Sequence, residues 1–221
     1  MPAPGELLSW IVVDARRFDV YCDQAPEKDT VQTADTLLRK LRASRAYDAA
    51  EEGSSQLAGH ELKPEYGSTA CRISTEDGHT VRMQYRLILC FVSRVIGYLT
   101  FGLTFDDGSV GSRPAFFVEL GEVWIEPKFR HQGLGPDFAQ SVANLVLDAL
   151  TELDKRLAEQ GVSPEKPLTL DWYLGAEAYS LSGKLFVESV GDALCCALDD
   201  AVVENTLPHL KFGSACIEPR E

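Results

Sequence analysis

Positive charge is scarce in this chain: 21 Lys and Arg stand against 34 Asp and Glu, a formal net charge of −13 at pH 7. Nucleic-acid binding needs a Lys/Arg surface to replace phosphate counterions, so no nucleic-acid partner is expected, a charged tRNA included. A cationic or amine-bearing partner suits the balance better, although acidity also serves plain solubility. Histidine is rarer still, with four copies scattered along the chain. The six cysteines, at positions 22, 71, 90, 195, 196 and 216, include no C-x-x-C pair. With no clustered soft ligands, no metal site is expected. Long apolar runs are also missing; nothing approaches the roughly 18 residues of a membrane span. The segment 5–21 mixes Trp10-Ile11-Val12-Val13 with Asp14, Arg16, Arg17 and Asp19, which breaks the apolar core a signal peptide requires. These absences lead to the expectation of a cytoplasmic protein with reduced thiols and no membrane partner.

What is present is ordinary globular material. Hydrophobic residues make up 45% and charged residues 25% of 221 positions, enough to bury a core without disulfide or metal staples. The length suits one large domain, or a domain with an extension. Two regions differ in character. Residues 1–60 read as a mostly helical extension, in which Asp29-Thr30 caps a helix bearing Val31, Ala34, Leu37, Leu38 and Leu41. Within it, 7–21 is apolar enough for a docked helix or a strand. Ala49-Ala50-Glu51-Glu52-Gly53-Ser54-Ser55 reads as a boundary. A second unit, 65–221, turns to strands. Glu76-Asp77-Gly78 is a tight-turn signal, 81–88 alternates with period two, and 95–101 and 116–125 are rich in β-branched and aromatic residues. A helix is expected over 136–157, with Phe138, Val142, Leu145, Val146, Ala149, Leu150 and Leu153 in one stripe. A buried strand at 168–174, a helix over 184–205 and a terminal strand at 212–217 complete a mixed α/β (α+β) domain.

Between the strand ending at Ile125 and the helix lies Arg130-x-x-Gly133-x-Gly135. Glycines allow positive φ and close backbone approach, and main-chain N–H groups at a helix start form an anion site. That inference reaches a phosphate-bearing ligand and no further. The segment is neither a Walker loop, since no Gly-Lys-Ser/Thr follows, nor a Rossmann fingerprint.

The segment resembles motif A of the GNAT superfamily of N-acetyltransferases, Q/R-x-x-G-x-G/A between that family's fourth strand and third helix. The flanking Val123-Trp124-Ile125-Glu126-Pro127-Lys128-Phe129-Arg130 is similar to the family's strand ending, and Arg94-Val95-Ile96-Gly97-Tyr98-Leu99 to its turn into the third strand. From about Arg82 to Phe212 the element order follows the family. The resemblance implies a GNAT fold, a mixed, mostly antiparallel sheet flanked by helices. It implies acetyl-CoA as co-substrate, with its pyrophosphate on the loop of Arg130, His131, Gln132, Gly133, Leu134 and Gly135. Val123 and Ile125 would pair with the pantetheine arm as a mimic strand, one amide, that of Val123, polarising the thioester carbonyl. Pro136 removes one N–H that relatives aim at phosphate.

The implied reaction is acyl transfer to a primary amine of a small molecule or protein by direct attack, with a base for the ammonium proton and an acid for the thiolate. Glu119 and Glu122 are the base candidates. Period two sets them on opposite faces unless a bulge intervenes, as it does in the family's split strand. Glu126 reads as a surface residue. For the acid, the family's tyrosine falls at Val187, with Ser180, Gly183 and Phe186 at the other positions of that motif; Tyr179 and Tyr173 are the substitutes. Cys195 and Cys196, with no histidine near, read as small buried apolar residues. The alternative to an enzyme is a non-catalytic GNAT-fold acyl-CoA-binding sensor or interaction protein. The extension would complete the domain, cover the acceptor cleft or mediate a homodimer.

Overall fold

Side-chain alternation in the middle of the chain builds the sheet. The computed structural model describes residues 6–22, 72–76, 80–92, 94–108, 113–177 and 181–220. In chain order the strands are β1 (Leu7–Val13), β2 (Arg16–Cys22), β3 (Arg72–Glu76), β4 (Thr80–Phe91), β5 (Arg94–Asp106) and β6 (Ala115–Ile125). A 3-10 turn (Pro127–Phe129), helix α1 (Leu134–Glu159), strand β7 (Leu168–Glu177), helix α2 (Leu181–Val203) and strand β8 (Leu210–Arg220) follow. One eight-stranded sheet runs β1-β2-β4-β5-β6-β7-β8, and β3 also pairs with β4. β2 takes the Leu87 to Cys90 half of the outer edge of β4, and β3 the Thr80 to Gln84 half.

Pairing is antiparallel from β1 to β6 and parallel for β6–β7 and β7–β8. Each parallel step needs a crossover, and α1 and α2 supply them. Two successive crossovers of the same hand put both helices on one face, where they pack together and share a single core with that face. Phe138, Val142, Val146 and Leu150 of α1 are buried against Leu87, Leu99, Leu103, Phe116 and Val118. The other face carries a smaller cluster of Ile88, Cys90, Val95, Tyr98 and Trp124. The fold is thus mixed α/β with a mostly antiparallel sheet.

Within the extension expected over 1–60, the alternative left open for 7–21, docked helix or strand, is decided for strands. Segments 7–13 and 16–22 form a hairpin hydrogen-bonded to β4, and so belong to the main sheet. Phe18, Val20 and Cys22 are fully buried at a spacing of two, the period of a strand. The hairpin turns through Asp14 and Ala15, both at positive φ (48° and 59°), a turn whose usual sequence signal is Asn-Gly or Asp-Gly. The helix expected to carry Val31 to Leu41, and the boundary after it, lie outside the described residues.

Two contacts tie distant segments to this frame. Phe18 and Phe91 close around Phe129 with ring centroids 6.1 and 5.6 Å away, anchoring the 3-10 turn to the sheet. Asp154, on α1, accepts the His209 main-chain N–H at 2.7 Å and lies 2.9 Å from the His209 ring Nδ1, fixing the approach to β8. Among the described residues no helix is long and apolar enough to cross a membrane.

Candidate functional site

The site begins where β6 loses one neighbour. β6 pairs with β7 only from Ala115↔Asp171 to Leu120↔Ala176. Among the described residues its last five, 121–125, continue along β5 alone, leaving an edge toward β7. The Glu126 N–H donates to the Ile96 carbonyl at 2.7 Å, so the main chain of Glu126 and Trp124 faces β5. By alternation, Val123 and Ile125 face the gap. The Ile125 carbonyl accepts the Arg130 Nε–H at 2.8 Å. Arg130 thereby locks the strand end to the loop after it, a structural duty that sequence reasoning did not assign.

The loop is held from below and open above. Pro127 starts the 3-10 turn, Phe129 plugs the core beneath it, and the Gln132 side-chain amide donates to the Lys128 carbonyl at 2.7 Å. His131 (φ +57°) and Gly133 (φ +76°) both adopt the left-handed conformation, which only glycine enters without steric cost. Gly133 caps α1 with no side-chain hydrogen bond to the first turn. The first amides of the helix therefore carry the positive end of its dipole without an internal acceptor from a cap. Pro136 contributes no N–H, and Asp137 is the one acidic residue of that turn. The Leu134 side chain is buried in the core, and Gly135 faces the Phe186 ring across the α1–α2 contact.

Glu119 and Glu122 share a face. Leu99 pairs with Val123 and Phe101 with Leu120, so both Gly121 and Glu122 oppose Thr100. This is a bulge, and it reverses the alternation that period two alone prescribes. The Glu122 N–H donates to Thr100 Oγ1 at 2.9 Å, and the Glu122 carboxylate accepts the Tyr98 O–H at 2.6 Å. Tyr98 belongs to the cluster opposite the helices. Glu119 pairs with Gly102, two residues from Thr100 on that same face, and lies 3.6 Å from Arg82. Glu122 is half-buried and Glu119 exposed. Tyr98 is a site residue that the sequence shows only as a strand aromatic; its link to Glu122 spans 24 positions and appears only once β5 and β6 pair.

Other assignments are sorted by burial. Glu126 is more than a surface residue, because it accepts two hydrogen bonds from Arg94 (2.7 and 2.9 Å) and pairs with Lys128 at 3.5 Å. Tyr179 lies outside the described residues. Tyr173 is on β7, its ring stacked on Phe117 at 4.8 Å. Phe186 and Val187 are core residues, and neither side chain carries a hydroxyl. Cys195 is half-buried, and its thiol pKa is raised, chiefly by burial and then by Asp199, Asp192 and Cys196. Cys196 is exposed, which corrects the buried reading for that residue: the two neighbours point to different sides of α2, only one of them toward the core.

The arrangement offers main-chain groups along a gap, an uncapped helix start beside it, and a carboxylate with a phenol on the far face. Compared with known proteins, the chain matches no family model and no curated sequence.

Proposed function

We propose that the chain is an acyl-CoA-dependent N-acyltransferase of the GNAT type, acting on a primary amine of a small molecule or protein, with acetyl-CoA as donor. The observation that carries the reading is the parting of β6 from β7 after Leu120↔Ala176, beside the uncapped start of α1 and with Glu122 on the face opposite α1 and α2. The residues fit the donor. Val123 and Ile125 direct main-chain groups into the gap, matching an amide-bearing arm as a strand would. The amides at the start of α1 suit a pyrophosphate. Glu122 accepts the proton leaving the attacking amine, and Tyr98 orients its carboxylate. The amine nitrogen bonds to the acyl carbon, the carbon–sulfur bond breaks, and the thiolate leaves and takes up a proton. The Val123 N–H is placed to polarise the carbonyl.

A second reading, an acyl-CoA-binding sensor, is favoured by one observation: Phe186 and Val187 are packed in the core, and neither can protonate a thiolate. Thiol release from acetyl-CoA with a panel of primary amines separates the two. Amine-dependent release supports transfer. Binding of CoA with no release for any amine, even at high pH, supports the sensor. Glu122→Gln is expected to slow release by about a hundredfold or more at neutral pH, the usual worth of a general base, while Glu119→Gln keeps most of the rate constant. Full rate in Glu122→Gln removes Glu122 from the role.

A further inference from the structure

The sheet face opposite α1 and α2 carries, among the described residues, a strip bare of side chains beside the transfer site. Gly102 and Gly175 flank Glu119, one through β5 and one through β7. A Cβ at Gly175 would meet nothing within 4 Å, and one at Gly102 would touch only the Met83 carbonyl at 3.9 Å and the Glu119 carboxylate at 4.0 Å. The strip is therefore a trough whose floor is backbone, with Glu119 standing in it. Its lower wall is the next row of side chains, where Phe117 and Tyr173 stack at 4.8 Å with rings 11° apart. Its upper end is the bulge that bears Glu122. At about 3.3 Å per residue, Glu119 stands roughly 7–10 Å from Glu122 along the strand.

We propose that this trough is the acceptor subsite and takes an elongated aliphatic amine with a second cationic group, its reacting nitrogen at Glu122 and its second charge at Glu119. The assignment rests on the acyl-transfer reading above. Charge complementarity selects the occupant: the Glu119 side chain is 61% exposed, and Arg82 beside it is an exposed partner at 3.6 Å. Such a pair holds weakly and yields to an incoming ammonium. With no side chain at Gly102 or Gly175, the row around Glu119 is open to the end of the chain that carries the second charge, and the Phe117–Tyr173 shelf bounds that end with an apolar wall. The alternating face places the trough away from the helices, so acceptor and donor approach β6 from different sides.

The test titrates the full chain at low salt with 1,6-diaminohexane and with hexylamine, and with CoA in parallel. The diamine is expected to bind about three- to fivefold tighter than the monoamine, the scale of one exposed ion pair, and high salt should erase the difference. Glu119→Gln is expected to abolish the preference, and Arg82→Gln, which removes the competing cation, to widen it. Gly175→Val should weaken both amines by filling the trough. Equal affinity for the two amines, no binding of either, or a preference that survives Glu119→Gln overturns the proposal. CoA binding retained in those samples confines the failure to the subsite, whereas loss of CoA binding in the unaltered chain overturns the acyl-transfer reading as well.

Discussion

A side chain at position 121 should disturb the site through a single neighbour. A Cβ at Gly121 would lie 2.5 Å from Thr100 Oγ1 and 3.3 Å from the Thr100 carbonyl, closer than packed atoms tolerate. The carbonyl belongs to the sheet, so the hydroxyl must rotate away. That hydroxyl accepts the Glu122 N–H at 2.9 Å, and its rotation strands a partly buried donor at a cost of about 1–3 kcal/mol. Thr100→Ala removes the same acceptor and should cost a similar amount. Once the acceptor is gone, the clash of Gly121→Ala is relieved too. The double variant should then lose about as much as either single one, giving a coupling of about 1–3 kcal/mol in a double-mutant cycle. Urea unfolding with an unchanged slope is the assay, since a shifted midpoint at constant slope reports stability alone. Additivity within about 0.5 kcal/mol would refute the reasoning, and with it the bulge geometry that sets Glu122 on the face of Glu119.

Other outcomes follow from single contacts. Asp154→Ala should destabilise the chain by about 1–3 kcal/mol, because the His209 N–H loses its acceptor; CoA binding should be unchanged, and a weakened titration would contradict this. Phe129→Ala should cost about 3–5 kcal/mol, the usual loss for a buried phenylalanine, read as a lower urea midpoint. Gly133→Ala should cost about 1–2 kcal/mol of backbone strain at φ +76° and weaken CoA binding, since the loop must shift to relieve it. Alkylation near neutral pH should label Cys196 before Cys195, whose raised pKa leaves less thiolate at any given pH; the reverse order, read from fragment-ion masses of the peptide that holds both, would contradict the burial cause.

Much of the fold was legible because local pattern and tertiary role agree. The stripe of Phe138, Val142, Leu145, Val146 and Leu150 faces the core as the helical period requires. The alternation after Thr80 marks the central strands, although β5 runs on to Asp106 and β8 spans Leu210–Arg220, because pairing with a long neighbour extends a strand beyond its apolar residues. The N-terminal hairpin stayed open between helix and strand where local chemistry is silent: Asp14 and Ala15 hold a turn that sequence signals assign to glycine. At the candidate site, the glycine loop and both glutamates are visible in sequence. Their relation is not, since a bulge is set by the register of two strands rather than by the composition of one. For the same reason Tyr98 and the anchoring of Arg130 emerge only from long-range pairing.

The parting of β6 from β7 as a binding gap for an acyl-CoA is tested most directly by calorimetric titration of CoA into the full chain, with heat unfolding followed alongside. Saturable binding at one site is expected, with about 2.7 kcal/mol of added stability at a free ligand concentration of about a hundred times Kd. No heat of binding and no change in unfolding at millimolar CoA would contradict it.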